Sequence, residues 1–378
     1  MKFIIDNKIP YIKGALEPFG EAVYLPGAQT TPEVVKDADA IITRTRTSCN
    51  EALLAESAVK FIATATIGYD HIDTAYCQQA GIEWTNAPGC NSRSVEQYLT
   101  SALLIMAEKQ AFQLRDKTIG IVGVGQVGSK VARACKLLGM QVLLNDPPRE
   151  RAEGSDEFVS LQEIKAQADI ITLHVPLAMQ GKDATFHLAD TLFFSELERA
   201  PIVINTCRGE VMDTFAAETA IQRGSISGLV VDCWEREPNI DRNLLALVDL
   251  ATPHIAGYSK DGKANGTSMS VQAVSRFFQL GIDNWQPAKV DLPEQTIIEL
   301  DGLNRTDEEI IREAVLFTYD VRNDDAALRQ SPEQFEQLRG DYPVRREYPV
   351  FTVKPKDVSP NALDILAQLG FQIEKSNN

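Results

Sequence analysis

Short apolar runs alternate with amphipathic stretches along most of the chain, as strands and helices do when they follow each other. Within the first ninety residues, the strand-like runs are rich in β-branched residues and helical patterns separate them. Alternation of this kind predicts a parallel sheet with helices on its faces. The runs are KFIID, EAVYLP, AIITRT, FIATATIG and IEWTNAP.

A second series of strand-like runs begins at Lys117. Its six members are TIGIVGVG, QVLLND, DIITLHVP, PIVINTCRG, GLVVDCW and VDLATPHI, and we expect the apolar run NLLALVDLATP to be the strand that leads to His254. A long helical pattern precedes the series over 94–115, with a capping box predicted at Ser94 and Gln97, and another follows it over 264–283. The alternation of six strand-like runs with helical segments favours a doubly wound fold. The two long helices are expected to connect this fold to the first sheet.

A glycine-rich turn in the second series has the spacing of a dinucleotide-binding loop. Gly123, Gly125 and Gly128 follow an apolar strand and open a helical pattern, so backbone N–H groups can approach a pyrophosphate. Asp146 lies eighteen residues after Gly128, at the end of the next strand, where a carboxylate accepts hydrogen bonds from ribose hydroxyls. This carboxylate favours NAD over NADP, although Arg149 lies nearby.

The expected fold is therefore α/β, with two doubly wound parallel-sheet lobes and a small α+β domain at the C-terminus. The first lobe is flavodoxin-like and is predicted to bind substrate, and the second is a Rossmann lobe that is predicted to bind NAD. The substrate-binding domain is expected over 1–95 and 257–286, the NAD-binding domain over 96–256, and the C-terminal domain over 287–378.

Charge and cysteine content limit the partners of the chain. The formal net charge of −16 and the pI near 4.8 argue against nucleic acid or an anionic membrane surface as a partner. The six cysteines are scattered singly, without the close pairs of a zinc site, and no apolar run approaches the length of a membrane span. We expect a cytoplasmic protein without a metal site.

Candidate catalytic residues follow successive strand-like runs of the second series. Oxidation of a hydroxy acid needs a base for the hydroxyl proton and a cation for the carboxylate. Arg208 can supply the cation, and Glu237 beside His254 can form a proton-transfer pair. Taken singly, each has a structural explanation as a surface ion pair or a packed histidine. Their coincidence beside a dinucleotide fold favours catalysis.

These motifs resemble the D-isomer-specific 2-hydroxyacid dehydrogenases. The segments GIVGVGQVG, LHVPL, INTCRGEVMD, VDCWEREP and PHIAGYS occur in that family's order. The resemblance implies Arg208 as carboxylate anchor, His254 as acid/base and Glu237 as its partner, with Asp232 near the nicotinamide. It also implies that further residues contact the cofactor, namely Gln126, Val127, Val175, Thr206, Cys207 and Gly257.

Within that family, the likeness is greatest to a member that oxidises a small phosphorylated hydroxy acid and has an extra C-terminal dimerisation domain. By this resemblance, Thr45, Thr66 and Tyr258 contact substrate, and the chain forms a homodimer. Arg44 and Arg93 are candidate ligands of the phosphate on their own chemistry, because a guanidinium binds phosphate oxygens. The alternative is that each forms an ion pair at the surface. Phosphoglycerate dehydrogenase stays open as another substrate specificity, and an NAD-binding corepressor as a different class.

Overall fold

The structure is a computed structural model that describes residues 1–154 and 156–374. It divides into two compact units. The first unit contains residues 1–91 and 259–292, and the second contains residues 92–258 together with the chain from Pro293 onward. These borders differ by a few residues from those expected from the sequence, and the C-terminal segment belongs to the second unit.

A parallel five-stranded sheet forms the centre of the first unit, in the order β2-β1-β3-β4-β5. Apolar residues cover both of its faces, as the continuous β-branched runs predict. Its strands are β1 (Lys2–Asp6), β2 (Glu21–Leu25), β3 (Ala40–Thr43), β4 (Phe61–Thr64) and β5 (Glu83–Thr85). The helices of this unit are α1 (Pro32–Val35), α2 (Glu51–Leu54), α3 (Thr74–Ala80) and α11 (Lys260–Phe278).

A parallel six-stranded sheet forms the centre of the second unit, in the order β11-β10-β9-β8-β6-β7. The polypeptide reverses its winding between β6 and β8, and such a switch point is where doubly wound sheets bind ligands. The strands are β6 (Thr118–Val122), β7 (Gln141–Asn145), β8 (Ile170–Leu173), β9 (Ile202–Asn205), β10 (Gly228–Val231) and β11 (Leu250–Ala251). The helices around it are α4 (Ser92–Lys109), α5 (Gln126–Leu137), α6 (Pro147–Glu153), α7 (Leu161–Gln167), α8 (Thr191–Ser195), α9 (Thr214–Arg223) and α10 (Arg242–Leu247).

The C-terminal segment adds a three-stranded parallel sheet to the second unit, in the order β12-β13-β14. Its apolar residues, among them Ile298, Val315 and Val353, continue the core that α4 and α5 form on one face of the six-stranded sheet. The strands are β12 (Ile297–Asp301), β13 (Thr352–Lys356) and β14 (Gln372–Ile373). The helices are α12 (Asp307–Thr318), α13 (Val321–Gln330), α14 (Phe335–Gly340) and α15 (Pro360–Leu369).

Two local predictions were wrong. The helix predicted from Ser94 begins at Ser92, so Ser94 lies inside α4 and its hydroxyl donates to Glu347 Oε1 at 2.9 Å. The run predicted as the strand before His254 is mostly helix α10, which Asp241 caps, and only Leu250–Ala251 pair in the sheet. Among the described residues, no helix is both long and apolar enough to cross a lipid bilayer.

Candidate active site

Two of the three motif glycines are required by close backbone contacts at the start of α5. At Gly123, where φ is +89°, a Cβ atom would lie 2.7 Å from the backbone of His174, and at Gly128 it would lie 2.0 Å from the carbonyl oxygen of Gly123. Gly125 is exposed and has open space where its Cβ would be, so a ligand can approach its backbone. The loop therefore suits the pyrophosphate of a dinucleotide at the N-terminus of α5.

Asp146 connects the glycine loop to the end of β7. Its carboxylate accepts hydrogen bonds from the backbone N–H of Val124 at 2.8 Å and of Arg149 at 3.1 Å, where it caps α6. A carboxylate has about four acceptor positions, so it can still accept the ribose hydroxyls. The guanidinium of Arg149 is paired with Glu153.

The loop after β9 holds Arg208 against the next loop of the sheet. The buried amide of Asn205 donates to the carbonyl of Arg208 at 3.0 Å and to that of Cys233 at 3.4 Å. Gly209 packs so closely on this second loop that a Cβ would lie 2.0 Å from the backbone of Trp234. These contacts bring Arg208 beside Cys233, where its positive charge lowers the pKa of the thiol in opposition to burial, which raises it.

Asp232 is the buried organiser of the turn that carries His254. Its carboxylate accepts hydrogen bonds from the hydroxyl of Thr252 at 2.6 Å and from the backbone N–H groups of Ile255 and Ala256 at 2.7 and 3.0 Å. Burial raises the pKa of Asp232, while the nearby His254 and these hydrogen bonds oppose the rise. Only 1% of the surface of Asp232 is exposed, so its observed role is structural. Its proximity to the nicotinamide stays a prediction.

Glu237 and His254 form the pair that the sequence predicts. Glu237 Oε2 lies 2.8 Å from His254 Nδ1, and Glu237 Oε1 accepts the backbone N–H of Trp234 at 2.8 Å. Burial alone would raise the pKa of Glu237, but the hydrogen bond and charge of His254 outweigh it, and the pKa lies below its ordinary value. An ionised carboxylate only accepts hydrogen bonds, so Nδ1 carries the proton and Nε2 is left as an acceptor.

His254 occupies a strained backbone conformation that its neighbours maintain. Its φ is +54°, in the left-handed region, which is costly for residues with a side chain. Its N–H donates to the carbonyl of Asp232 at 2.8 Å, and the next two N–H groups bind the Asp232 carboxylate. Such strain persists where the surrounding structure fixes it, which is typical of functional residues.

Cys233, Glu237 and His254 are also close enough for their donor atoms to surround an ion, since these atoms lie within 4.8 Å of one another. Burial raises the pKa of Cys233 well above its usual value, so the thiol stays protonated and is a poor metal ligand. The arrangement therefore suits proton exchange at His254, with Glu237 as the carboxylate that orients the ring. The expected lack of a metal stays a prediction.

The other three histidines have structural surroundings. Burial lowers the pKa of His174 to about 3, and its Nε2 lies 3.0 Å from the hydroxyl of Thr172. His187 is bound by the carboxylate of Glu235, at 2.7 Å from Nε2. Burial also lowers the pKa of His71.

The remaining predicted cofactor residues lie at the same edge of the six-stranded sheet. Gln126 is exposed at the first position of α5, followed by half-buried Val127. The turn after β8 contains Val175, whose backbone N would lie 2.8 Å from a Cβ at Gly123. The others follow β9 and β11, and they are Thr206, Cys207 and Gly257.

The first unit carries Arg44, Thr45 and Thr66 after its strands β3 and β4. The hydroxyl of Thr66 lies 2.8 Å from the carbonyl of Gly68, and Thr45 is exposed. The sequence reading missed Lys263, on α11. Burial, together with the positive charges of Arg44 and Lys260, lowers its pKa to about 8. A lysine in a helical pattern gives no sequence signal of this cluster, because it arises from packing between distant segments.

Tyr258 and Arg93 belong to the second unit. The hydroxyl of Tyr258 accepts a hydrogen bond from Arg339 Nη2 at 3.2 Å. Arg93 is exposed at the second position of α4, and its charge acts on Glu96. Burial raises the pKa of Glu96 to about 7, against the pull of Arg133 and Arg93. The phosphate role of Arg93 stays a prediction.

Comparison with known proteins agrees with this geometry. Residues 94–256 match the D-isomer specific 2-hydroxyacid dehydrogenase, NAD binding domain, and residues 292–370 match a domain of unknown function. An erythronate-4-phosphate dehydrogenase from Bacteroides fragilis is 54% identical over 348 residues, which cover 92% of this chain and 97% of that protein. The chain belongs to the erythronate-4-phosphate dehydrogenase family. A relative of the same name from Klebsiella pneumoniae is 41% identical over 98% of both chains.

Solved structures of the wider family share the fold. D-lactate dehydrogenase from Aquifex aeolicus, complexed with NAD and lactic acid, is 26% identical with a TM-score of 0.61, and covers 78% of this chain and 100% of its own. NAD-bound 3-phosphoglycerate dehydrogenase from Entamoeba histolytica is 25% identical with a TM-score of 0.62, and covers 76% and 99%. The protein is thus an NAD-dependent dehydrogenase, which confirms the predicted α/β fold, enzyme class and cofactor and disfavours the corepressor alternative.

Proposed function

We propose that this dehydrogenase oxidises 4-phospho-D-erythronate with NAD to (R)-3-hydroxy-2-oxo-4-phosphooxybutanoate, a step of pyridoxal 5′-phosphate biosynthesis. The observation that supports this most strongly is the Glu237–His254 pair beside the Arg208 loop, in a chain whose relatives carry the name of this reaction. The hydroxyl proton of the substrate goes to the enzyme, and the hydrogen on the same carbon leaves as hydride to NAD.

His254 is the base that takes the hydroxyl proton in this proposal. Its Nδ1–H donates to Glu237, so Nε2 accepts the proton, and the carboxylate then stabilises the imidazolium. Arg208 would hold the substrate carboxylate, since a guanidinium matches the two oxygens. Both loops are fixed by the buried Asn205 and Asp232, which keeps the groups aligned for reaction.

The glycine loop and Asp146 would hold NAD, which supplies the hydride acceptor when it is bound. The exposed backbone at Gly125 and the N-terminus of α5 suit the pyrophosphate, and Asp146 suits the ribose. The predicted residues after β8, β9 and β11 are proposed as further cofactor contacts. They are Val175, Thr206, Cys207 and Gly257.

The cations of the first unit would bind the phosphate of the substrate. The positive charges of Arg44 and Lys260 both act on Lys263 and, with its burial, lower its pKa. Positive charges that lie close together repel one another, and a bound dianion offsets this repulsion. A phosphoryl group therefore suits this cluster. Thr45 and Thr66, together with Tyr258 in the second unit, are proposed as further substrate contacts.

The reaction itself is tested with purified protein and the two phosphorylated acids. We expect kcat/KM for 4-phospho-D-erythronate to exceed that for 3-phosphoglycerate by at least about 100-fold, since one pocket contact is worth roughly 1–3 kcal/mol and the two acids differ in several. NADH formation is followed by absorbance. Equal values for the two acids, or a preference for 3-phosphoglycerate, would make the proposed substrate wrong.

Lys263→Met is expected to raise KM for the phosphorylated acid by about tenfold, with little change in kcat, because it removes a cation from phosphate binding. In the wild type, KM should rise as pH increases through about 8, where Lys263 loses its proton. The steady-state rate is measured from pH 6.5 to 9.5.

Lys289→Met is the matched control for Lys263, since it also removes a lysine from the first unit and its charge acts on Asp291. It should keep the KM of the wild type and its dependence on pH. A pH-dependent KM that persists in Lys263→Met would contradict the role of this lysine.

We also propose that the protein is a homodimer that associates through its C-terminal segment, and that it works in the cytoplasm. The segment's match to a separate domain, over 292–370, supports a role of its own. The six cysteines are buried thiols, and none is in a disulfide in the described part of the chain, which is usual in a reducing compartment. A mass measurement in solution by light scattering tests the dimer.

A further inference from the structure

The C-terminal segment contacts Tyr258, a residue that is proposed to bind substrate. Arg339, on α14, donates from Nη2 to the hydroxyl of Tyr258 at 3.2 Å, and its guanidinium lies 5.7 Å from the centre of that ring. The same charge lowers the pKa of Glu237 and adds to the effect of His254. The segment therefore does more than cover the core of the second unit.

We propose that Arg339 is a positioning residue of the active site, supplied by the C-terminal segment to fix Tyr258 and to keep a positive charge beside the Glu237–His254 pair. This inference depends on the proposed catalytic roles of these residues. It gives a chemical role to a segment that matches a domain of unknown function.

Arg339 is held in one place by its surroundings. Nη1 donates to Glu336 Oε1 at 2.9 Å, and the guanidinium lies 5.8 Å from the centre of the Phe335 ring. Tyr258 in turn packs edge-on against Tyr342, with ring centres 5.7 Å apart. The Nε atom is buried and has no partner within the described chain, and the two Nη atoms make the contacts to Glu336 and Tyr258.

A second arginine of the segment supports the same conclusion. Arg345 is buried, and its Nη1 approaches the carbonyl oxygens of Ile255 and Ala256 at 3.4 and 3.3 Å, directly after His254. The N–H groups of these two residues bind Asp232 from the other side. The turn that carries His254 is thus held between the sheet and the C-terminal segment.

The charges that face Glu237 determine the expected sign of a pH effect. His254 and Arg339 both favour its ionised form, while Cys233, whose pKa burial raises well above its usual value, is an uncharged thiol. Asp232 is a further carboxyl group near His254, whose charge opposes the rise that burial causes in the pKa of Asp232. Removal of Arg339 therefore leaves more negative charge around the pair, which binds its proton more tightly.

Arg339→Gln is expected to shift the acidic limb of kcat for oxidation to higher pH, because the base must be unprotonated to act. Below the midpoint, kcat should fall by about tenfold, and at high pH it should return towards the wild-type value. KM should stay raised by several-fold at all pH values, since Tyr258 has lost the hydrogen bond from Arg339. The profile is measured with 4-phospho-D-erythronate and saturating NAD.

Three further variants make the experiment decisive. Arg339→Lys keeps the charge and should keep the wild-type limb, with only KM raised. Arg339→Met keeps the apolar packing and should show the same shift as Arg339→Gln. It therefore provides the test if the Arg339→Gln protein does not fold. Arg322→Gln is the matched control, because Arg322 lies in the same segment but pairs with Asp320 at 2.6 Å, and it should match the wild type.

A readout that needs no substrate separates this inference from the proposed function. The chain has four histidines, so NMR can follow the imidazole of His254, assigned by its loss in His254→Asn. Its titration should move to higher pH in Arg339→Gln and Arg339→Met and stay unchanged in Arg322→Gln. An unmoved titration would overturn the role of Arg339, whereas a shift in a protein inactive on 4-phospho-D-erythronate would overturn only the proposed substrate.

Discussion

His254→Asn is expected to lower kcat by about two to four orders of magnitude, the usual contribution of a positioned acid or base. Asparagine tolerates the left-handed backbone that His254 adopts, at φ +54°, so the turn should survive the change. The amide can still donate to Glu237, but it cannot take a proton from the substrate. NADH formation gives kcat, and NAD binding measured by fluorescence should be unchanged.

His187→Asn is a close control, because His187 also has a positive φ and also binds a carboxylate. Its φ is +50°, and its Nε2 lies 2.7 Å from Glu235 Oε1. We therefore compare this variant directly with His254→Asn, and it should retain most of the wild-type kcat. If both variants lost activity equally, or if His254→Asn lost none, His254 would not be the base.

The sheets and the catalytic edge could be predicted from the sequence because they depend on local patterns. The β-branched runs match β1 to β10, and the glycine spacing matches the turn before α5. Glu237 and His254 could be paired because the carboxyl ends of parallel strands meet at one edge of a sheet. The strand before His254 was mistaken because an apolar run of this length also suits a helix, and the cap at Asp241 decides it.

The contacts that complete the site could not be predicted, because they join segments far apart in the chain. Arg339 and Arg345 lie in a segment whose sequence gives no pattern typical of a catalytic site, and their partners are Tyr258 and the turn after His254. Lys263 likewise becomes part of a cation cluster only when α11 packs near Arg44. Charged residues in helical patterns are usually solvated, so only the fold distinguishes those that serve the site.

Gly209→Ala is expected to lower both the stability and the activity sharply. The new Cβ would lie 2.0 Å from the carbonyl carbon and oxygen of Trp234 and 2.5 Å from the backbone nitrogen of Glu235. Backbone atoms cannot rotate away, so the loop with Arg208 must separate from the loop with Glu237. We expect the free energy of unfolding to fall by about 1–3 kcal/mol or more, and kcat/KM by on the order of 100-fold, because misplaced groups no longer align.

Gly340→Ala distinguishes this close contact from a general intolerance of larger residues. Within the described chain, no heavy atom outside the neighbouring residues and the backbone of its own helix lies within 4 Å of a Cβ at Gly340. Alanine there should leave kcat/KM unchanged and raise the free energy of unfolding by up to about 1 kcal/mol. Thermal unfolding and steady-state kinetics measure both effects. Wild-type kcat/KM in Gly209→Ala would mean that Arg208 reaches the substrate without this packing, and the catalytic edge would then be less rigid than the buried hydrogen bonds of Asn205 indicate.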